Sequence, residues 1–160
     1  MRHAPLTFAL ASALAVLTGC ASTAAVHQSD AQRAASYAPY EGPPISDFTW
    51  LGHFYSWEVL GRDQLVVFTT PSDAYYLKVW PSCDLRFVMN RHGSQAIGIT
   101  STGGTVSSGL DSIIENSPAT GHMHCPISEI RRIDYRRMMA DRRAQARARS
   151  QAAPAGTGSK

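Results

Sequence analysis

The chain has 160 residues and a formal net charge of +3, a size that suits one modest domain and excludes a string of several domains. Its first apolar run, residues 6–17, is too short for a membrane-spanning helix, which needs about 20 apolar residues. The charge is unevenly distributed. Residues 21–130 hold five basic and ten acidic side chains, whereas residues 131–160 hold nine basic and two acidic ones. We therefore expect a mildly acidic domain followed by a basic tail.

The N-terminal segment has the features of a bacterial lipoprotein signal. A basic start at Arg2 precedes the apolar run, and Leu17-Thr18-Gly19-Cys20 matches a lipobox, in which small residues flank the cut and the cysteine thiol accepts a lipid. We predict that residues 1–19 are removed as a signal peptide and that Cys20 is acylated. The alternative is an ordinary secretory signal with a coincidental cysteine.

The residue after the lipidated cysteine predicts the destination of the protein. Ala21 stands where aspartate signals retention in the inner membrane of many Gram-negative bacteria. We therefore expect a lipid anchor in the outer membrane and a domain that faces the periplasm. Nucleic acid is not an expected partner in that compartment.

The chain divides by composition into a compact part and two flexible ends. Residues 20–44 are rich in Ala, Ser, Gln and Pro without an apolar period, which is typical of a tether. The compact domain is predicted at residues 45–135. Residues 136–160 are predicted to hold the arginine-rich end of a helix and a disordered tail.

Short runs in the compact part alternate between apolar and polar residues, a pattern that predicts strands. Six to seven such strands follow one another at spacings of about 8–12 residues, so we predict a mainly β fold, a small antiparallel barrel or sandwich with a C-terminal helix. The predicted strands lie at residues 57–59, 65–68, 75–80, 85–90, 97–99, around 106 and at 111–115.

The period changes after Cys125. Pro126 suits the first position of a helix, and Ile127, Ile130 and Ile133 form a loose apolar stripe together with Met138. We predict a helix that begins near Pro126 and frays into the tail by Met139.

Two cysteines remain once Cys20 carries a lipid. Export places Cys83 and Cys125 in an oxidising compartment, where two thiols favour a disulfide. Closing the loop between them would contribute about 4 kcal/mol of stability on the chain-entropy model.

The compact part resembles the small Gram-negative lipoproteins and exported proteins that are grouped as a domain of unknown function. The resemblance spans about residues 45–135 and rests on the strand with Trp57, on Tyr76-Leu77 followed by Cys83 and Leu85, and on the ending Cys125-Pro126-Ile127-Ser128-Glu129-Ile130. It implies a paired Cys83 and Cys125 and favours a non-enzymatic envelope protein. It brings no catalytic residues and no cofactor.

His122-Met123-His124-Cys125 is the cluster with metal-ligand side chains. In an extended segment His122 and His124 would share a face and hold Cu(II) or Zn(II), with His53 or His92 as a further ligand. A disulfide at Cys125 would remove that thiolate, and the same residues would then be solvated loop histidines.

Two surfaces are candidates for contact with a partner. Tyr76 and Trp80 fall on the predicted outward face of their strand, although a shift of one residue in register would bury them. The tail contributes arginines for a membrane surface, an acidic envelope protein or an anionic polymer. Those arginines are Arg136, Arg137, Arg142 and Arg143.

These observations favour a non-enzymatic envelope lipoprotein that serves as a structural or interaction module. A periplasmic Cu or Zn protein that uses His122 and His124 is the alternative. An enzyme comes third, because no set of residues in the sequence forms a catalytic pattern.

Overall fold

A computed structural model describes residues 28–86, 97–117 and 121–152. Short strands dominate these residues, with a helix at either end. In chain order the elements are α1 (Asp30–Tyr37), a 3-10 turn (Ala38–Tyr40), β1 (Glu41–Ile45), β2 (Asp47–Thr49), β3 (Ser56–Val59), β4 (Gln64–Phe68), β5 (Ala74–Val79), β6 (Ile97–Ile99), β7 (Thr105–Ser107), β8 (Ser112–Ser117), β9 (Gly121–Ile133) and α2 (Tyr135–Ala152).

Seven strands form one antiparallel sheet that curls into a half-barrel. Six of them lie in the order β3-β4-β5-β9-β8-β6, and β1 is a seventh strand paired with β9. Strands β2 and β7 form a separate two-stranded ribbon. The predicted fold class, mainly β and antiparallel with a C-terminal helix, is confirmed. The described residues contain nine strands, more than the predicted six to seven. The additional strands are β1, most of which lies in the expected tether, β2, which was not predicted, and β9, which was predicted as a helix.

The concave face of the sheet holds the larger core, which we call the inner cluster. Successive strand side chains point to opposite faces, and Leu77 and Val79 of β5 point inward, as the alternation predicted. Leu65 and Val67 of β4 point to the same inner cluster. The β2–β7 ribbon closes the open side, and its Phe48 stacks on Tyr75 with ring centroids 4.3 Å apart.

The convex face carries a second core, the outer cluster. Val66 and Phe68 of β4 and Tyr76 of β5 point outward and pack under the two helices, which contribute Tyr37 and Met138. Burial of each such apolar side chain stabilises the fold by about 1.5–3 kcal/mol. The sheet is thus buried on both faces where α1 and α2 cover it.

The predicted tether contains ordered structure from Asp30 onward, which corrects the expected boundary at residue 45. Ser29 and Gln32 form a capping box that starts α1, each side chain bonding to the backbone of the other residue. The helix buries a single aromatic residue, Tyr37, and the chain then enters the sheet as β1. One buried side chain leaves no period in the sequence, so pattern analysis overlooks such a helix.

The predicted helix after Pro126 is wrong, because residues 121–133 form strand β9 and the helix begins at Tyr135. A bulge explains why Ile127 and Ile130, three positions apart, point to the same face, whereas Ile133 lies in the outer cluster. Lys78 pairs with Glu129 whereas Val79 pairs with Ile127, so one extra residue lies in β9 between them. Ile127 and Ile130 therefore both reach the inner cluster, although residues three positions apart in a regular strand point to opposite faces.

The C-terminal helix is longer than expected. Helix α2 extends to Ala152, beyond the predicted end near Met139. In the part of the chain that the structure describes, no helix has both the length and the hydropathy that a membrane crossing requires.

The predicted disulfide is confirmed. Cys83 and Cys125 are bonded, with their Cα atoms 5.7 Å apart, and both are buried in the inner cluster. The bridge joins the segment after β5 to β9. A strand was predicted at residues 85–90, but Leu85 is buried in a turn. Residues 87–90 of that prediction lie outside the described residues.

Candidate functional site

Helix α2 is held to the domain by its first turn. The backbone N–H of Arg137 donates to the Asp134 carboxylate at 3.1 Å, which caps the helix, and the Asp134 N–H donates to the Tyr40 carbonyl at 2.9 Å. Met138 is fully buried in the outer cluster, and the Tyr135 ring meets Phe68 edge to face at 5.0 Å. These contacts fix where the helix begins.

Two tyrosines from the N-terminal segment hold the next turns of α2. The Tyr40 hydroxyl donates to Asp141 at 3.0 Å, and the guanidinium of Arg137 lies 5.7 Å from the centre of the Tyr40 ring. The Arg142 guanidinium lies at the same distance from the Tyr37 ring. The electrostatic attraction between a cation and the face of an aromatic ring favours both contacts.

The tyrosine hydroxyls are themselves fixed. Tyr37 donates to Glu58 of β3 at 2.6 Å, and burial together with this hydrogen bond raises the pKa of Tyr37. Burial and the hydrogen bond to Asp141 raise the pKa of Tyr40. Both hydroxyls therefore stay protonated at physiological pH and act as donors.

After the contact between Arg142 and Tyr37, the rest of α2 is exposed to solvent. Residues 142–152 are all exposed, and the whole helix carries six arginines and one aspartate. Arg136, Arg143 and Arg147 form what we call the arginine row. Arg143 and Arg147 follow Arg136 by seven and eleven residues. Because an α-helix turns about 100° per residue, the three arginines lie within about 40° of one another around the helix axis and span about 16 Å along it. The row faces away from the domain, because Met138 lies on the opposite side of the helix.

A cleft of about 610 Å³ opens beside the first turn of α2, between β1 and the start of β5. Its charges are mixed and largely paired. Arg132 bonds to Asp73 at 2.9 Å, and hydrogen bonds from Thr70 and Arg132 lower the pKa of Asp73. Burial raises the pKa of Glu41 on the opposite wall. Arg136 of the arginine row also lines the cleft, and its charge contributes to the lowered pKa of Asp73. Three arginines and three carboxylates line the cleft, so its formal charges balance.

A family model for a family of unknown function (DUF6491) matches residues 2–149. The chain belongs to DUF6491. The expected resemblance to an uncharacterised family is confirmed, and the match extends well beyond residues 45–135. It covers α1 and most of α2, including all three residues of the arginine row. No match was found among curated proteins or among solved structures.

In this DUF6491 member, the two residues of the predicted binding face differ: Tyr76 is buried and Trp80 is exposed. Tyr76 is only 7% exposed, and burial raises its pKa to about 12. The alternation was predicted correctly, but the outward face is covered by helices that strand periodicity cannot reveal. Trp80 lies just past the end of β5 and is 57% exposed. Its backbone N–H donates to the Pro126 carbonyl. Tyr76 is therefore not part of an open binding face.

The two histidines of the predicted metal site both lie on β9. His124 is exposed on β9 opposite Ile114, and His122 pairs in register with Asn116. Cys125 is in the disulfide and cannot act as a thiolate ligand. His53 lies in the β2–β3 loop, while His92 lies outside the described residues. Within residues 28–86, 97–117 and 121–152, no three metal-ligating side chains form a group.

The four predicted contact arginines all lie on α2. Arg136 and Arg143 belong to the arginine row, whereas Arg137 and Arg142 face the two tyrosines. The sequence reasoning missed Arg147, which completes the row, because a helix that frays at Met139 has no face there. It also missed Tyr37 and Tyr40 as partners of α2, because both lie in the supposed tether. Cys20 and the lipobox lie outside the described residues.

Buried Asp111 has a structural role. It accepts hydrogen bonds from the Thr100 hydroxyl at 2.9 Å and from the Ser107 N–H at 2.8 Å. The carboxylate thus joins β7 to the end of β6 and satisfies its own hydrogen-bonding needs.

Proposed function

We propose that this protein is a non-enzymatic lipoprotein of the cell envelope, an interaction module that binds an anionic partner through the arginines of α2. In this proposal Cys20 carries the lipid anchor in the outer membrane, and the domain faces the periplasm. The lipobox at residues 17–20 and Ala21 support the anchor. Nucleic acid is not a partner, because the domain is exported.

The observation that carries the proposal is the exposed second half of α2. Eleven consecutive residues, 142–152, bury no side chain, yet four of them are arginines. An isolated helix of this length is marginal in water, so it gains stability from a partner. Arg149 in the last turn also interacts favourably with the helix dipole. Arg136 and Arg143 lie too far from the C-terminal end of the helix for this effect, so the dipole does not account for them.

The size of the electrostatic attraction is sufficient for a contact surface. Each Lys or Arg near an anionic surface contributes about 1 kcal/mol, so the arginine row alone supplies about 3 kcal/mol. Such attraction is screened by salt over about 10 Å at 0.1 M. Binding through α2 is therefore salt-sensitive.

Two side chains of types that can serve in catalysis, a cysteine and a buried aspartate, are engaged in structural bonds, which supports binding over catalysis. Cys125 is joined to Cys83 and has no thiolate to act as a nucleophile. Asp111 is committed to Thr100 and to the Ser107 backbone.

The test uses the full lipidated protein in detergent micelles on a sulfated-polysaccharide column. The wild type is expected to be retained and to elute with salt, while Arg136→Gln/Arg143→Gln/Arg147→Gln elutes much earlier. The control loses the same charge from the body of the domain and is expected to elute near the wild type. It carries Arg62→Gln, Lys78→Gln and Arg86→Gln. Equal retention of the wild type and the arginine-row variant would contradict the proposal.

A further inference from the structure

Both helices lie on the same face of the sheet. Tyr37 of α1 and Met138 of α2 pack in one outer cluster, and Arg142 lies against the Tyr37 ring. Helix α1, through which the chain runs back toward Cys20, therefore lies on the same face of the sheet as α2 and its arginine row. The opposite, concave face of the sheet is closed by the β2–β7 ribbon.

The distance from the anchor to this face is short. Asp30, the first residue of α1, follows Cys20 by ten residues. A chain spans at most about 3.6 Å per residue, so α1 lies within about 36 Å of an anchored Cys20. This distance is comparable to the size of the domain, so the bilayer is within reach of α2.

The shape of the arginine row fits a flat surface. Its three guanidinium groups project in one direction from a convex helix along about 16 Å. Arg136 borders the cleft beside β1, whereas Arg143 and Arg147 lie in the described residues 143–152, which are all exposed, so no second wall encloses a polymer there. This part of α2 also lacks a large apolar side chain for insertion between lipid tails, so contact with a membrane is limited to headgroups.

We propose that the arginine row rests on anionic phospholipid headgroups of the membrane that holds the lipid at Cys20. This inference rests on the proposed function and names its partner. The acyl chains supply attachment, and the row fixes orientation: α2 lies along the bilayer, the half-barrel stands above it, and exposed Trp80 stays free for other contacts. High salt releases the row without releasing the protein.

The experiment places the full lipidated protein in vesicles of phosphatidylcholine, with or without 30% phosphatidylglycerol, and follows trypsin cleavage after Arg149. For the wild type, phosphatidylglycerol is expected to slow cleavage at least tenfold, and 0.5 M NaCl is expected to abolish the difference. The arginine-row variant keeps Arg142 and Arg149 as cleavage sites and is expected to be cut equally fast on both vesicles. The variant with Arg62, Lys78 and Arg86 replaced by Gln controls for net charge.

Equal cleavage of the wild type on the two kinds of vesicle would overturn this inference. The polysaccharide column then separates two failures. If the row still governs retention on the column, the proposed contact surface stands and its partner is an anionic polymer or an acidic protein. If the row has no effect in either assay, the proposed function fails as well. Circular dichroism of each variant verifies that the exposed substitutions leave the fold intact.

Discussion

The guanidinium of Arg142 lies 5.7 Å from the centre of the Tyr37 ring and so connects the two ends of the described chain. Tyr37 in turn donates a hydrogen bond to Glu58 in β3. Helix α1, helix α2 and the sheet therefore meet at one aromatic side chain. The segment next to the predicted lipid anchor is part of the structure that positions the basic helix.

Truncation of Tyr37 is expected to destabilise the domain strongly. Tyr37→Ala removes a buried aromatic ring and should lower the free energy of unfolding by about 3–5 kcal/mol. Tyr37→Phe keeps the ring beneath Arg142 and loses only the bond to Glu58, so a loss of about 1–2 kcal/mol is expected. Urea unfolding followed by tryptophan fluorescence measures both. Similar losses in the two variants would argue against ring packing as the main contribution.

Loss of the disulfide is expected to cost a large part of the stability. The bridge between Cys83 and Cys125 spans 42 residues of sequence, for which the chain-entropy model gives about 4 kcal/mol. Thermal unfolding of Cys83→Ala/Cys125→Ala should show a clear fall in Tm. Addition of reductant should lower the Tm of the wild type and leave that of the double variant unchanged. Two free thiols in denatured, unreduced wild type would contradict the bridge.

Stability is expected to fall in alkaline solution as tyrosines ionise. Burial raises the pKa of Tyr76 to about 12, so the folded state holds this proton more tightly than the unfolded state. The stabilising effect is complete below pH 10 and is lost as the pH rises toward 12. Denaturation across pH 9–12 should show a shallower decline for Tyr76→Phe than for the wild type. Parallel declines would show that Tyr76 does not account for the effect.

Substitution of Cys20 is expected to abolish acylation. The other two cysteines are joined in a disulfide, so neither offers a thiol to a lipid donor. Incorporation of labelled palmitate and recovery in the membrane fraction should both be lost in Cys20→Ala. Palmitate incorporation that persists in this variant would refute the lipobox assignment.

The fold class could be predicted because strands leave a local signature. Side chains alternate every residue, and Leu77 and Val79 accordingly point inward as expected. The cysteine pair could be predicted for a different reason, since two thiols remaining in a chain that is predicted to be exported make bonding the favoured state.

The site could be predicted only in part. The composition of the sequence predicted a concentration of arginines near the C-terminal end. Their arrangement as a row could be recognised only once α2 was seen to extend beyond Arg147. The helix predicted from Ile127 and Ile130 failed because a bulge gives a strand the same three-residue spacing. Tyr37 was overlooked because a single buried side chain produces no period.

The sequence by itself determined the short strands, the cysteine pair and the concentration of positive charge at the C-terminal end, because each depends on neighbouring residues or on composition. Only the tertiary structure decided that Tyr76 is covered and that Arg136, Arg143 and Arg147 are exposed. Those outcomes depend on which elements pack on the convex face of the sheet. Packing between distant segments is set by shape and burial across the whole domain, and no local pattern records it.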